Sequence, residues 1–182
     1  MKNLNDWYIQ NENPSHWSFD NGLLSMQVQE GNIFGAGSSD VDNIFIYPVS
    51  QPNYSAEVTI TLEPTFPFEQ AGLGIYWDND NYIKISKEMF MGEPSIVFVV
   101  EQNGQPEIKQ LSTFEGTTAS VKIEKNDGTI TAFLECNQKR SWQVIGSAKT
   151  LNGQAKGLML YTFSGSSNTP NFAKFSEFQL MS

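Results

Sequence analysis

Apolar and polar residues alternate along almost the whole chain in short runs, with Gly, Asn, Asp or Pro at the breaks. That is the period of half-buried β-strands, and no segment carries the wider spacing of an amphipathic helix. Ala56, Val58, Ile60 and Leu62 alternate with Glu57, Thr59 and Thr61. Ala119, Val121 and Ile123 alternate in the same way with Ser120, Lys122 and Glu124, so each strand offers one face to a core and one to solvent. The breaks carry turn chemistry: Asn103-Gly104 divides Ile96–Gln102 from Gln105–Leu111, and Asn126-Asp127-Gly128 divides two further alternating runs. Asp78-Asn79-Asp80-Asn81 joins Leu73–Trp77 to Tyr82–Ile85 as a tight hairpin. Breaks recur roughly every 8 to 14 residues and predict about a dozen strands, the signature of a large antiparallel sandwich or barrel rather than of βαβ units.

Composition narrows this picture. A length of 182 residues predicts one domain, spanning 1–182, with a sizeable core. Aromatic residues make up 13% (13 Phe, 6 Tyr, 4 Trp), too much large apolar surface for a disordered chain. Twenty acidic against 11 basic residues give a net charge of −9, which argues against binding nucleic acid or an anionic membrane. No apolar window reaches signal-peptide or membrane-span length, so the expected location is cytoplasmic. The segments Gly31–Asn43 and Gly165–Asn171, poor in core residues, read as the long loops.

Little chemistry is available. Cys136 is the only cysteine and His16 the only histidine, which excludes disulfides, thiolate clusters and two-His zinc sites. Both read as packing residues. Asp78 and Asp80, and separately Asp40 and Asp42, offer oxygens to calcium, but alternating Asp and Asn is also what a tight turn prefers, so no cofactor is expected. Glycosidases need two carboxylates flanking the scissile bond. The nearest candidates are Glu88 with Glu93, whose spacing puts them on opposite faces of one continuous strand, and Asp40 with Asp42 in a Gly/Ser-rich loop.

The segment Gln70-Ala-Gly-Leu-Gly-Ile-Tyr-Trp-Asp-Asn-Asp-Asn-Tyr-Ile-Lys84 resembles a signature of concanavalin A-like domains. Two groups carry it: the C-terminal domain of beta-xylosidases, and free-standing proteins named after a yeast regulator of enolase. Asn5-Asp6-Trp7, Trp17, Gly22-Leu23-Leu24, Asp42-Asn43-Ile44-Phe45 and Ala173–Leu180 fit the same resemblance in order. It implies a jelly-roll sandwich of two antiparallel sheets. It supplies no catalytic acids, because in the xylosidases the chemistry belongs to a separate propeller domain.

Counting by twos, Ala71, Leu73, Ile75 and Trp77 form a core face. Opposite them, Gly72 and Gly74 would form a low floor with Tyr76, Tyr82, Lys84 and Glu88 raised around it. Such a face suits a sugar, which stacks on aromatic rings and pairs its hydroxyls with carboxylate and amine groups. The same residues also fit an ordinary solvated sheet face. The leading expectation is non-catalytic saccharide recognition on the concave sheet by Tyr76, Tyr82, Lys84 and Glu88. The alternative is a cytosolic protein-interaction or regulatory module, and a glycoside hydrolase ranks third. An open aromatic groove would favour the first, whereas a face plugged by Gly31–Asn43 and Gly165–Asn171 would favour the second.

Overall fold

The computed structural model describes residues 1–36, 40–136, 141–165 and 167–182. Among the described residues there are fourteen strands: β1 (Tyr8–Gln10), β2 (Trp17–Asp20), β3 (Leu23–Gln27), β4 (Ile44–Tyr47), β5 (Tyr54–Thr61), β6 (Gln70–Asp78) and β7 (Asn81–Phe90) in the first half. The second half supplies β8 (Glu93–Gln102), β9 (Gln105–Thr113), β10 (Thr118–Asn126), β11 (Thr129–Cys136), β12 (Ser141–Lys149), β13 (Gly157–Phe163) and β14 (Phe172–Met181). The only helical turn among the described residues is the 3-10 segment Pro14–His16. The strands form two seven-stranded antiparallel sheets. The front sheet has the order β1-β4-β13-β6-β7-β8-β9, and the back sheet β12-β11-β10-β5-β14-β3-β2.

The turns form where the sequence marks them. Asn103-Gly104 and Asp127-Gly128 both take left-handed φ angles, as the two central residues of a type I′ hairpin require. The aspartate that precedes the β6–β7 turn works as a turn residue, accepting from the Asp80 N–H at 2.9 Å and the Asn81 amide at 2.8 Å. Asp42 accepts from the Asn13 amide at 3.0 Å. One hairpin was not anticipated. Met91-Gly92, with φ of 51° and 88°, ends β7 and starts β8, so Glu88 and Glu93 lie on adjacent strands. Glu93 pairs with Phe90, two residues from Glu88, which corrects the expectation of opposite faces.

The core lies between the sheets and is built from alternate residues of both, among them Leu24, Phe45, Ile60, Leu73, Ile85, Phe98, Val121 and Phe175, all fully buried. In β5 and β10 the intervening residues are Ser, Thr, Glu and Lys at partly exposed positions of the back sheet, as alternation predicts. The front sheet departs from that rule. Its outer face carries a second apolar cluster of Ile44, Ile46, Tyr76, Tyr82, Val97, Val99, Met159, Tyr161 and Phe163. Residues 28–36 and 40–43, together called the strap, lie over this cluster and seat Ile33 and Val41 in it; residues 37–39 lie outside the described residues. The anticipated low floor is therefore occupied. A Cβ on Gly72 would lie 2.6 Å from the Tyr161 hydroxyl, and one on Gly74 would lie 2.5 Å from the Met159 methyl group.

Candidate functional site

β6 and β7 position the polar residues of the outer front face. Gln70 stands opposite Glu88, Gly72 opposite Ser86, and Gly74 opposite Lys84. On the other side of β7, Glu88 faces Ser95, Ser86 faces Val97, Lys84 faces Val99 and Tyr82 faces Glu101. These positions share one face of the sheet, and all but the two glycines carry a side chain on it.

The structure brings Lys84 and Glu88 together. Both are buried, and their charged atoms lie 3.9 Å apart. The Lys84 ammonium donates to Gln70 Oε1, which also accepts from the Tyr161 hydroxyl at 3.3 Å. Ser86 Oγ donates to Glu88 Oε2 at 2.9 Å. Three rings surround the ammonium, Tyr161 at 5.2 Å, Phe163 at 5.5 Å and Tyr82 at 5.9 Å from ring centroid to nitrogen. Burial lowers the Lys84 pKa, opposed by the charges of Glu88 and Glu101. Burial raises that of Tyr161, and the charge of Glu88 adds to the rise.

Above this pair opens a pocket of about 170 Å³. Lys84, Glu88 and Gln70 line its polar side, and Phe34, Phe68, Phe90 and Phe163 its aromatic walls. Phe68 adopts φ of 64°, strained for a bulky residue, and its N–H is held by the Met89 carbonyl at 2.9 Å. This turn leaves the Phe68 ring 49% exposed on the pocket rim. The volume is below the ~300 Å³ at which pockets for drug-sized ligands begin, so the space suits a single small ring. Glu88 is the one carboxylate among the described lining residues.

The two tyrosines are placed differently. Tyr82 is fully buried under the strap, its hydroxyl 2.5 Å from Glu101 Oε2 and 3.2 Å from the Ile33 carbonyl. Burial and the adjoining Glu101 raise its pKa. Tyr76 sits farther along β6, donating to Asn79 Oδ1 at 2.6 Å and accepting from the Gln10 amide at 2.8 Å, and burial lifts its pKa to about 12. Neither lines the pocket. Sequence reasoning missed the phenylalanine walls, although Gln70 opens the quoted signature and Glu101 continues the alternation of Val97 and Val99.

Two stacked antiparallel sheets, one carrying a strapped outer face, define a concanavalin A-like domain. Residues 2–180 match the beta xylosidase C-terminal concanavalin A-like domains, and the chain belongs to that family. The crystal structure of the GH43 protein BlXynB from Bacillus licheniformis is similar at a TM-score of 0.81 and 20% identity; the match covers 100% of this chain and 38% of that one. This chain therefore spans well under half of that relative. A functionally unknown protein from Saccharomyces cerevisiae matches at a TM-score of 0.77 and 16% identity, covering 98% of this chain and 97% of that one. The carbohydrate binding module CBM66 from Bacillus subtilis matches at 0.67 and 14%, covering 100% and 99%. No curated protein matches the chain.

Proposed function

We propose that this chain is a non-catalytic carbohydrate-binding module that seats one sugar unit in the Lys84–Glu88 pocket. The observation that carries this reading is a buried donor and a buried acceptor side by side beneath aromatic walls. An ammonium has three donors and a carboxylate only acceptors, so one ligand hydroxyl accepts from Lys84 while its neighbour donates to Glu88. The C–H face of the sugar then lies against Phe34, Phe68 or Phe163. Tyr76 and Tyr82 serve as scaffold in this arrangement. A single lining carboxylate favours binding over hydrolysis, which takes two. Family membership and the similarity to a carbohydrate binding module support the same reading.

The test is calorimetric titration with methyl β-D-xylopyranoside and methyl α-L-arabinofuranoside, alongside a glycan array. Wild type is expected to bind at least one saccharide, with the Glu88→Gln and Lys84→Met variants weaker by about 10-fold or more, as for loss of a hydrogen bond to a charged group. Wild-type protein that binds no saccharide up to millimolar concentration would overturn the proposal. The strap over the rest of the face favours a second reading, a protein-interaction module. A partner retained equally by wild type and by the double variant Lys84→Met/Glu88→Gln would favour it.

A further inference from the structure

Glu101 is fully buried, lies outside the pocket, and faces the strap from β8. Both of its carboxylate oxygens accept from the Gly35 N–H, at 2.9 and 3.1 Å. The Tyr82 hydroxyl donates its one proton to Glu101 at 2.5 Å and lies 3.2 Å from the Ile33 carbonyl, so it packs against a second point of the strap. On the other side of the pocket wall, the Gly31 N–H donates to the Gly165 carbonyl at 3.1 Å. The strap is thus clamped at Gly31 and again at Gly35. Between the clamps, Asn32 locks the backbone locally: its Oδ1 accepts from the Phe34 N–H at 2.8 Å, and its Nδ2 donates to the Phe34 carbonyl at 3.0 Å. Asn32 and Phe34 are the strap residues that line the pocket.

The geometry points to Glu101 as the positioning residue of the saccharide site: by holding the Gly35 N–H directly, and by orienting the Tyr82 hydroxyl beneath Ile33, it fixes Phe34 and Asn32 as the pocket wall. This rests on the saccharide reading above. The groups facing Glu101 are Tyr82 and Lys84 on β7, Asp80 in the turn before β7, and the uncharged Pro106 opposite on β9. An apolar residue here would extend the pattern of Val97 and Val99 without the cost of burying a charge. A carboxylate instead supplies two acceptors for the donors that arrive from the strap and from Tyr82. Gly35 has φ of 84° and open space where a Cβ would stand, so its backbone conformation, not crowding, calls for glycine.

Burial raises the Glu101 pKa, against the opposing pull of the Tyr82 and Gly35 hydrogen bonds. The clamped state therefore holds a proton more tightly than a released, solvated one, and mild acid does not open the strap.

The test compares wild type, Glu101→Gln, Glu101→Ala and Phe34→Ala by NMR, amide hydrogen exchange and titration with methyl β-D-xylopyranoside. In wild type the Gly35 amide resonance is expected to shift in one pH step above the ordinary carboxylate range of about 4.3, and in Glu101→Gln that step is absent. Glu101→Ala is expected to speed Gly35 amide exchange and weaken binding, each by about 10-fold or more, and Glu101→Gln, which keeps a carbonyl acceptor, restores most of both. Phe34→Ala should weaken binding while leaving Gly35 exchange as in wild type. Saccharide binding by Glu101→Ala equal to wild type overturns the proposal; should that variant not fold, a Gly35 resonance that titrates identically in Glu101→Gln and wild type does so. If wild type binds no saccharide, the functional reading fails. The clamp is then judged on exchange alone, and unchanged Gly35 exchange in both Glu101 variants overturns it.

Discussion

The outer faces of the two sheets differ although the strands beneath them are alike in length and pairing. On the back sheet, Ser55, Glu57, Thr59 and Thr61 alternate with core residues and stay partly exposed, cross-linked by hydroxyl contacts such as Thr59–Ser120 and Thr61–Thr118, both at 3.0 Å. On the front sheet, β6 is buried from Gln70 through Trp77 on both sides. Water solvates the first face, and chain solvates the second. Polar groups on the back sheet can exchange partners with solvent at little cost, whereas Lys84, Glu88 and Glu101 must find theirs inside the protein. On the front sheet the strap covers the apolar cluster, and a pocket remains beside Lys84 and Glu88.

That contrast sets the order of expected effects. Tyr161→Ala, which empties the space over Gly72, should destabilise the fold by about 3–5 kcal/mol in denaturant unfolding. A loss under ~1 kcal/mol would mean that the strap cluster is not packed as a core. Glu88→Leu leaves the Lys84 ammonium buried without its carboxylate and should cost about 3 kcal/mol, while the double variant Lys84→Met/Glu88→Leu should recover most of that stability and still bind no saccharide. Separation of stability from binding in that pair is the sharpest sign that the charges are kept for recognition. Thr59→Ala on the back sheet should cost less than about 1 kcal/mol and leave saccharide affinity unchanged.

A pH series probes buried charge on both faces of the front sheet, since Lys87 lies beside the core residues Ala71 and Ile96. Lys87 is buried and burial lowers its pKa to about 8, so above that value the folded state has released a proton that the unfolded chain still holds. Stability should therefore rise with pH from about 8, and Lys87→Met should flatten the rise. Past pH 10 the trend reverses, because Tyr76 and Tyr82 stay protonated in the fold while unfolded tyrosines ionise. Unfolding midpoints measured between pH 7 and 11 check both limbs.

The strands were legible because their signals are local. Alternation in β5 and β10 and the Asn103-Gly104 and Asp127-Gly128 turns depend on neighbours within a few residues. Pairing Lys84 with Glu88 on one face followed from the same count by twos. The pocket was legible only in part. Its walls come from Phe34, Phe68, Phe90 and Phe163, which lie on separate segments and meet only after folding. Gly31–Asn43 reads as a loop because Ile33 and Val41 are isolated apolar residues in a Gly- and Ser-rich stretch, yet both are buried like core residues. The low floor over Gly72 and Gly74 failed as an expectation because Tyr161 and Met159 arrive from β13, more than eighty residues away in sequence.

The order of strands also constrains how the chain is made. In the front sheet β13 separates β4 from β6, and in the back sheet β14 separates β3 from β5. The first four strands therefore have no partner joining them to the rest of either sheet until the last two have been synthesised. A nascent chain emerging at ~5–20 residues per second holds its first four strands unpaired with their final neighbours until β13 and β14 have emerged. Ribosome-bound chains arrested before Gly157 should present those strands to chaperones and proteases, and the transition to resistance should fall within the release of the final two strands.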